Sequence, residues 1–211
     1  MHRGIAARKH LTHRTLRAAC AAAFAVAVAA SLAPPARAER VTPPPVPANL
    51  EADAGSRAFL VGHAVGTQNY VCQPAGLGFA WTLFTPVATL FSDNGRQLTT
   101  HFFSPNPIES GTVRPAWQHS RDTSTVWVRL VDQSADPAYV APGAIPWLLL
   151  EVVGKQDGPH GGGALAKTAQ IQRLNTVGGA APSTGCAEPT DVGKRVYVPY
   201  LADYYFYSTP E

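Results

Sequence analysis

Proline and glycine recur so often along this chain that little room is left for helices. The sequence holds 18 Gly and 19 Pro, and beyond residue 50 no window of about twelve residues keeps a helical apolar stripe free of these breakers. The segments between breakers instead alternate apolar and polar residues, the period-two pattern of strands with one buried face. The pattern therefore predicts an all-β domain.

Seven segments carry a strand pattern, with turn residues between them. They are 59–72, 87–91, 96–103, 125–131, 145–153, 169–177 and 196–207. This number of strands is typical of a single-domain β-sandwich or barrel. The helix formers in 164–174 leave one alternative open there, so we expect at most one short helix.

Local patterns add detail to three of these strands. Asn94-Gly95 between 87–91 and 96–103 predicts a hairpin with a type I′ turn, which requires positive φ at both central residues. The nearly continuous apolar run 145–153 favours a central strand covered on both faces. In 196–207 the even-numbered residues share one face, which we expect to be the core face.

The first 38 residues have the order of a signal peptide. Five basic residues precede an alanine-rich apolar run, and Ala36-Arg37-Ala38 supplies an A-x-A cleavage site. The run is about fifteen residues, shorter than the roughly twenty that a bilayer span needs. We therefore expect cleavage, secretion to a periplasmic or extracellular location and no membrane span. A proline-rich stem at 39–50 would lead into a single mostly-β domain at 51–211.

Cleavage would reverse the sign of the net charge. Six of the 17 Lys and Arg residues lie in 1–38 and none of the 14 Asp and Glu do, so the whole-chain charge of +3 becomes −3. No basic cluster remains to neutralise a run of phosphates. Nucleic acid is therefore not an expected partner.

Two cysteines, Cys72 and Cys186, remain after cleavage. An even number of cysteines in an oxidising compartment predicts a disulfide. The alternatives are two free buried thiols or half of a metal site.

Several sequence blocks together resemble one family. They are 68–72, 145–150, 171–179 and 198–207, with Trp81, Pro86, Leu90 and Cys186. In these blocks the chain is similar to secreted bacterial and fungal proteins of domain-of-unknown-function family 3455. It departs where Asp122-Thr123-Ser124 follows Trp117, in place of an expected Asp-Gly-Ser. The resemblance implies export and a single domain, and it brings no established activity.

Histidines supply the candidates for a metal site. If neighbouring strands carry them, His101, His119 and Asp122 would converge as two histidines and a carboxylate, a set that suits zinc or non-haem iron, with His160 as a further ligand. The alternative is that His101 ends a hairpin strand and His119 lies in a polar loop. No cofactor is expected by default, and a transition metal is the open alternative.

Other catalytic patterns are weak. No G-x-S-x-G elbow occurs, and the glycine-rich loop 158–163 lacks the helix start that usually accompanies an anion site. Glu151, in an apolar strand, requires a partner, and Arg129 or Arg173 would supply it in a structural ion pair.

The last strand suggests a binding surface. Its odd-numbered face carries Tyr197, Asp203, Tyr205 and Tyr207, which would form a platform for sugars or a partner. The alternative is that both faces are packed. The leading hypothesis is a non-enzymatic binding or cell-envelope interaction module, with a glycan or envelope component as partner. The second is a small secreted metal-dependent oxidoreductase or hydrolase, and the third is a structural envelope protein.

Overall fold

Eight antiparallel strands close into a barrel in the computed structural model, which describes residues 41–209. Each strand pairs with the next along the chain, and β8 pairs back with β1. The strands are β1 Arg57–Ala75, β2 Gly78–Phe91, β3 Gln97–Asn106, β4 Thr112–His119, β5 Thr125–Ser134, β6 Trp147–Gln156, β7 Thr168–Gly178 and β8 Arg195–Ser208. The all-β prediction is confirmed, as a barrel. The predicted signal peptide at 1–38 lies outside the described residues.

Helices are limited to three short 3₁₀ segments within residues 41–209: Ala48–Leu50, Pro107–Glu109 and Pro189–Asp191. The helical alternative at 164–174 is wrong, because β7 begins at Thr168 and pairs with β6 and β8. Tertiary pairing overrides the local helix propensity of this segment. No helix in this part of the chain has the length and hydropathy of a bilayer crossing.

The sequence pattern missed β4, and Pro115 is the reason. Proline cannot donate a backbone hydrogen bond and usually argues against a central strand. In the barrel, Pro115 pairs only with Phe103 of β3, and the ladder between β4 and β5 is confined to residues 116–118 of β4. Pro115 therefore lies where its missing N–H breaks no bond to β5.

The hairpin between β2 and β3 is confirmed, but its turn type is not. Gly95 has a φ of 76°, whereas the φ of Asn94 is not positive. The Gly95 N–H donates to the Ser92 carbonyl at 2.8 Å, and the Ser92 N–H donates to the Arg96 carbonyl at 2.9 Å. This is the pattern of a three-residue hairpin loop, in which glycine alone takes the left-handed position.

The barrel interior holds the main core. Its buried apolar residues include Trp117, Val126, Val128, Ile171 and Phe206. Even-numbered residues of β8 point inward as predicted: Tyr200, Ala202, Tyr204 and Phe206. β1 and β2 approach closely at Gly66, where a Cβ would lie 2.2 Å from the Val87 carbonyl oxygen.

A second apolar cluster lies on the outside of the barrel and is called the outer cluster below. Its buried members are Leu50, Val140, Trp147, Leu149, Leu174, Tyr205 and Tyr207. Val41 and Val46 of the stem pack against it, and the Gln172 side-chain amide donates to the Leu50 carbonyl. The stem thus covers β6, which confirms the prediction of a strand buried on both faces.

Alternate loops of an up-and-down barrel lie at the same end, and here the two ends differ. At the closed end, the loop between β6 and β7 places Leu165 in the interior core. Ser124 and Asp122 hold this loop by accepting hydrogen bonds from the backbone N–H groups of Leu165 and Ala164. At the open end, the predicted Cys72–Cys186 disulfide is present, with Cα atoms 5.5 Å apart. It joins β1 to the loop between β7 and β8.

Candidate functional site

A cavity of about 280 Å³ occupies the barrel interior and is bordered by residues toward the open end. Its walls are mainly apolar, with Leu83, Phe103, Leu130, Leu148 and Ile145 among them. These residues come from β2, β3, β5, β6 and the loop that precedes β6. Because inward positions alternate along every strand, the barrel collects them around one space. We call this space the interior cavity.

Three aromatic rings form the floor of the interior cavity. His101 and Trp117 are directly paired across β3 and β4, and their rings stack with centroids 4.0 Å apart and planes within 8°. Tyr204 meets Trp117 edge-on at 5.2 Å and lies 5.4 Å from His101. Each ring is therefore in contact with the two others as well as fixed to its own strand.

His101 is a neutral imidazole at ordinary pH. Burial disfavours the charged ring and lowers the pKa of His101 to about 3, and the positive charge of Arg173 acts in the same direction. Nδ1 lies 2.9 Å from the Ala116 carbonyl oxygen. Because a carbonyl only accepts, Nδ1 carries the proton and Nε2 keeps its lone pair.

The phenols in and beside this floor stay protonated. Burial raises the pKa of both Tyr200 and Tyr204, and their hydroxyl oxygens lie 3.3 Å apart. The Tyr70 hydroxyl donates to the Gly179 carbonyl at 2.7 Å. These groups therefore offer neutral hydroxyls rather than phenolates.

Arg173 brings a positive charge to the interior cavity. Its Nη2 and Nε donate to the Pro146 carbonyl oxygen at 2.8 and 3.2 Å. Among the described residues, no carboxylate lies within ion-pair distance of Arg173. Its charge reaches the floor, since it opposes the rise that burial causes in the pKa of Tyr204. The guanidinium is thus anchored without a counter-ion in this part of the chain.

Two buried N–H donors beside the cavity are unsatisfied. Trp117 Nε1 has no hydrogen-bond partner among residues 41–209, although the ring is fully buried. Gln68 Nε2 also lacks a hydrogen bond of good geometry, and its weak interaction with the Tyr200 hydroxyl opposes only slightly the rise that burial causes in the pKa of Tyr200. An unsatisfied buried donor costs about 1–3 kcal/mol.

The predicted metal ligands are only partly brought together. His119 Nδ1 lies 2.9 Å from Asp122 Oδ1, and Asp122 and His160 border one small cleft at the closed end. His101 instead lies on the cavity floor. Within the described residues, no group of three or more His, Cys, Asp or Glu side chains is placed to hold a metal ion.

The carboxylate of Asp122 has a structural task. Burial acts to raise its pKa, but hydrogen bonds from Ala164 and Ser124 and the nearby His119 lower it well below the usual range. Oδ1 accepts from the N–H and hydroxyl of Ser124, and Oδ2 accepts from the Ala164 N–H. These bonds occupy the oxygens that a metal would need. The 158–163 loop packs here too, since a Cβ at Gly158 would overlap the Asp122 carbonyl.

The predicted tyrosine platform is not an exposed surface. Tyr205 and Tyr207 belong to the buried outer cluster beneath the stem. Asp203 accepts from Asn175 at 2.8 Å and is bonded to His63 Nδ1 at 2.6 Å. Only Tyr197 of the four is strongly exposed. Whether any of these residues binds a ligand stays a prediction.

The structure assigns different partners to the charged residues near β6. Glu151 pairs with Arg129 on the outside of the barrel, as one of the two predicted alternatives. Because Glu151 pairs with Arg129, Arg173 is not its partner, and the Arg173 side chain borders the interior cavity. The sequence contained a signal for this, because Arg173 shares a strand face with Ile171, a core residue. Nothing in the sequence alone indicated that Gln68 lies beside the same cavity.

A family model described as "Protein of unknown function (DUF3455)" matches residues 53–208, which span all eight strands. No curated protein and no solved structure matches the chain. The match contains the interior cavity together with His101, Trp117, Arg173 and Tyr204. By this match the chain belongs to the family of proteins of unknown function DUF3455.

Proposed function

We propose that this protein is a non-enzymatic binding module that takes a small, mainly apolar molecule into the barrel interior. The observation that carries the proposal is the interior cavity itself, with apolar walls and unsatisfied N–H donors at Trp117 and Gln68. Ligand sites in proteins are typically concave, mainly apolar and furnished with a few polar groups that fix orientation. We expect the protein to bind this molecule after secretion, in a periplasmic or extracellular location.

The size of the cavity limits the ligand. A volume of about 280 Å³ equals the space of roughly nine water molecules at about 30 Å³ each. This suits one aromatic ring with a substituent or a medium-length acyl chain. A glycan chain is too large for this volume, and the predicted tyrosine platform is covered at Tyr205 and Tyr207. The cavity therefore favours a small molecule as partner.

The chemistry of the bordering groups favours binding over catalysis. A general base works best when its pKa lies near the operating pH, whereas the pKa of His101 is lowered to about 3 by burial. The pKa of Tyr204 is raised, so its phenol remains protonated at neutral pH. These groups are suited to hydrogen bonding and poorly suited to proton transfer.

Binding of a neutral probe tests the proposal directly. Methyl benzoate has a suitable size and an ester carbonyl as acceptor, and its binding to the purified protein is measured by saturation-transfer NMR and by quenching of tryptophan fluorescence. Leu130 borders the cavity, and Leu201 lies on the outer face of β8; they are 50% and 47% exposed. We expect saturable binding that Leu130→Trp weakens at least tenfold and Leu201→Trp leaves unchanged.

Two results would contradict the proposal. One is the absence of saturable binding of methyl benzoate and of other neutral compounds of this size by folded wild-type protein. The other is equal binding by the Leu130→Trp and Leu201→Trp variants, which would place the bound molecule outside the barrel.

A further inference from the structure

We infer that the natural ligand is a monocarboxylate on a small apolar body, with Arg173 as the counter-ion of its carboxylate. This inference rests on the proposed function, because it assigns a chemical class to the ligand of the interior cavity. It depends on the charge balance of the cavity, the free donors of Arg173 and the polarity of the groups around it.

The charge balance of the interior cavity is positive. Arg173 borders it, and no Asp or Glu is among the described residues that do. The nearby Glu151 is paired with Arg129 outside the barrel. A partly buried cation without a counter-ion is costly. An anion that enters the cavity would supply the missing negative charge.

The orientation of Arg173 is fixed by Pro146. A guanidinium has five N–H donors, and two of them are used on the Pro146 carbonyl. The others remain for the neighbouring Tyr204 hydroxyl and for a ligand. Since the side chain is already held, a ligand that pairs with it does not have to restrict a flexible side chain, and less entropy is lost on binding.

Several of the other polar groups near the cavity are donors. Trp117 Nε1 can only donate, and it is unsatisfied together with Gln68 Nε2. The Tyr204 hydroxyl adds a further O–H group, whereas the Tyr70 hydroxyl proton is used on the Gly179 carbonyl. A carboxylate has two oxygens and accepts several hydrogen bonds. An ammonium ligand would instead meet Arg173 and these donors with the wrong polarity.

A carboxylate fits better than a phosphate. The planar guanidinium matches a carboxylate in a two-bond pairing. A phosphate monoester carries close to two negative charges at neutral pH, whereas one cation borders this cavity among the described residues. Proteins that bind phosphate commonly add a glycine-rich loop and a helix N-terminus, and residues 41–209 contain no α-helix. The walls also require an apolar ligand body.

Matched pairs of ligands separate the contribution of the ligand's negative charge from that of its shape. Benzoate and benzamide have nearly the same shape, as do octanoate and octanamide, so calorimetric titration of each pair compares an anion with a neutral amide. We expect each carboxylate to bind wild-type protein at least tenfold more tightly than its amide. The carboxylate that binds more tightly, benzoate or octanoate, then indicates whether the apolar part of the natural ligand is aromatic or linear.

Variants of Arg173 assign the effect to one residue. Arg173→Met is expected to weaken benzoate or octanoate at least tenfold and methyl benzoate by a much smaller factor, and Arg173→Lys should recover part of the preference for the acid. Arg129→Met is the matched control, because Arg129 lies on the outer face of the barrel. Retained binding of methyl benzoate by Arg173→Met shows that this variant is folded.

The outcomes separate the inference from the proposed function. If methyl benzoate binds but the acids bind no more tightly than their amides, the carboxylate assignment is wrong and the cavity proposal stands. The assignment is also wrong if Arg173→Met and Arg129→Met have the same effect. If neither the neutral nor the anionic compounds bind, the proposed function itself is wrong.

Discussion

His101 couples the protonation of one side chain to the stability of the whole barrel. In the unfolded chain a histidine gains a proton near pH 6.5, whereas in the folded protein burial lowers the pKa of His101 to about 3. Between these values the unfolded state binds more protons than the folded state. The free energy of unfolding therefore falls as the pH falls through this window.

This coupling gives a measurable slope. We expect His101 to contribute a loss of up to about 1.4 kcal/mol of unfolding free energy per pH unit between pH 6.5 and 4.5. Urea unfolding at several pH values measures the total slope. His101→Gln should remove this contribution, and His160→Gln should retain it. A His101→Gln variant with the wild-type slope would show that the imidazole is not buried as described.

At the scale of strands, the alternation of apolar and polar residues predicted which face of a strand is buried. It did not predict every strand of the barrel or what covers the outer faces. The inward set of β8 followed from period two alone. The β4 strand was missed because Pro115 usually argues against a strand, although its position in this barrel is compatible with one. Whether Tyr205 is exposed depends on the stem, which is distant in sequence.

The candidate site was harder to predict than the strands because it depends on register. His101 was a candidate from the sequence, but its pairing with Trp117 is set by the ladder between β3 and β4. Arg173 reaches the same space from β7. A local pattern indicates which face a residue occupies, and it gives no information on which distant residues share that face.

The stem behaves as a structural element of the barrel. Leu50 is fully buried in the outer cluster, whereas Leu77 in the β1–β2 turn is fully exposed. We expect Leu50→Ala to lower the free energy of unfolding by about 2–5 kcal/mol and Leu77→Ala to change it by less than about 0.5 kcal/mol. Equal midpoints of urea unfolding for the two variants would mean that the stem does not pack on the barrel.

At the scale of the whole molecule, one covalent link restricts the chain. The disulfide joins positions 114 residues apart, so in the chain-entropy model it stabilises the fold by about 4–5 kcal/mol. We expect the Cys72→Ala, Cys186→Ala double variant to lose stability of this order in urea unfolding, and added reductant to affect only the wild type. A double variant as stable as oxidised wild type would contradict this expectation.

The pairing of β1 with β8 has a consequence for how the protein is made. The ladder joins Arg57 to Ser208 and Val71 to Arg195, so the first strand of the barrel has no partner on that edge until the last strand has been synthesised. Contacts this distant in sequence form slowly, and an unpaired strand edge is prone to aggregation. The interior cavity therefore does not exist until β8 has been made and has paired with β1, and any ligand must enter after that point.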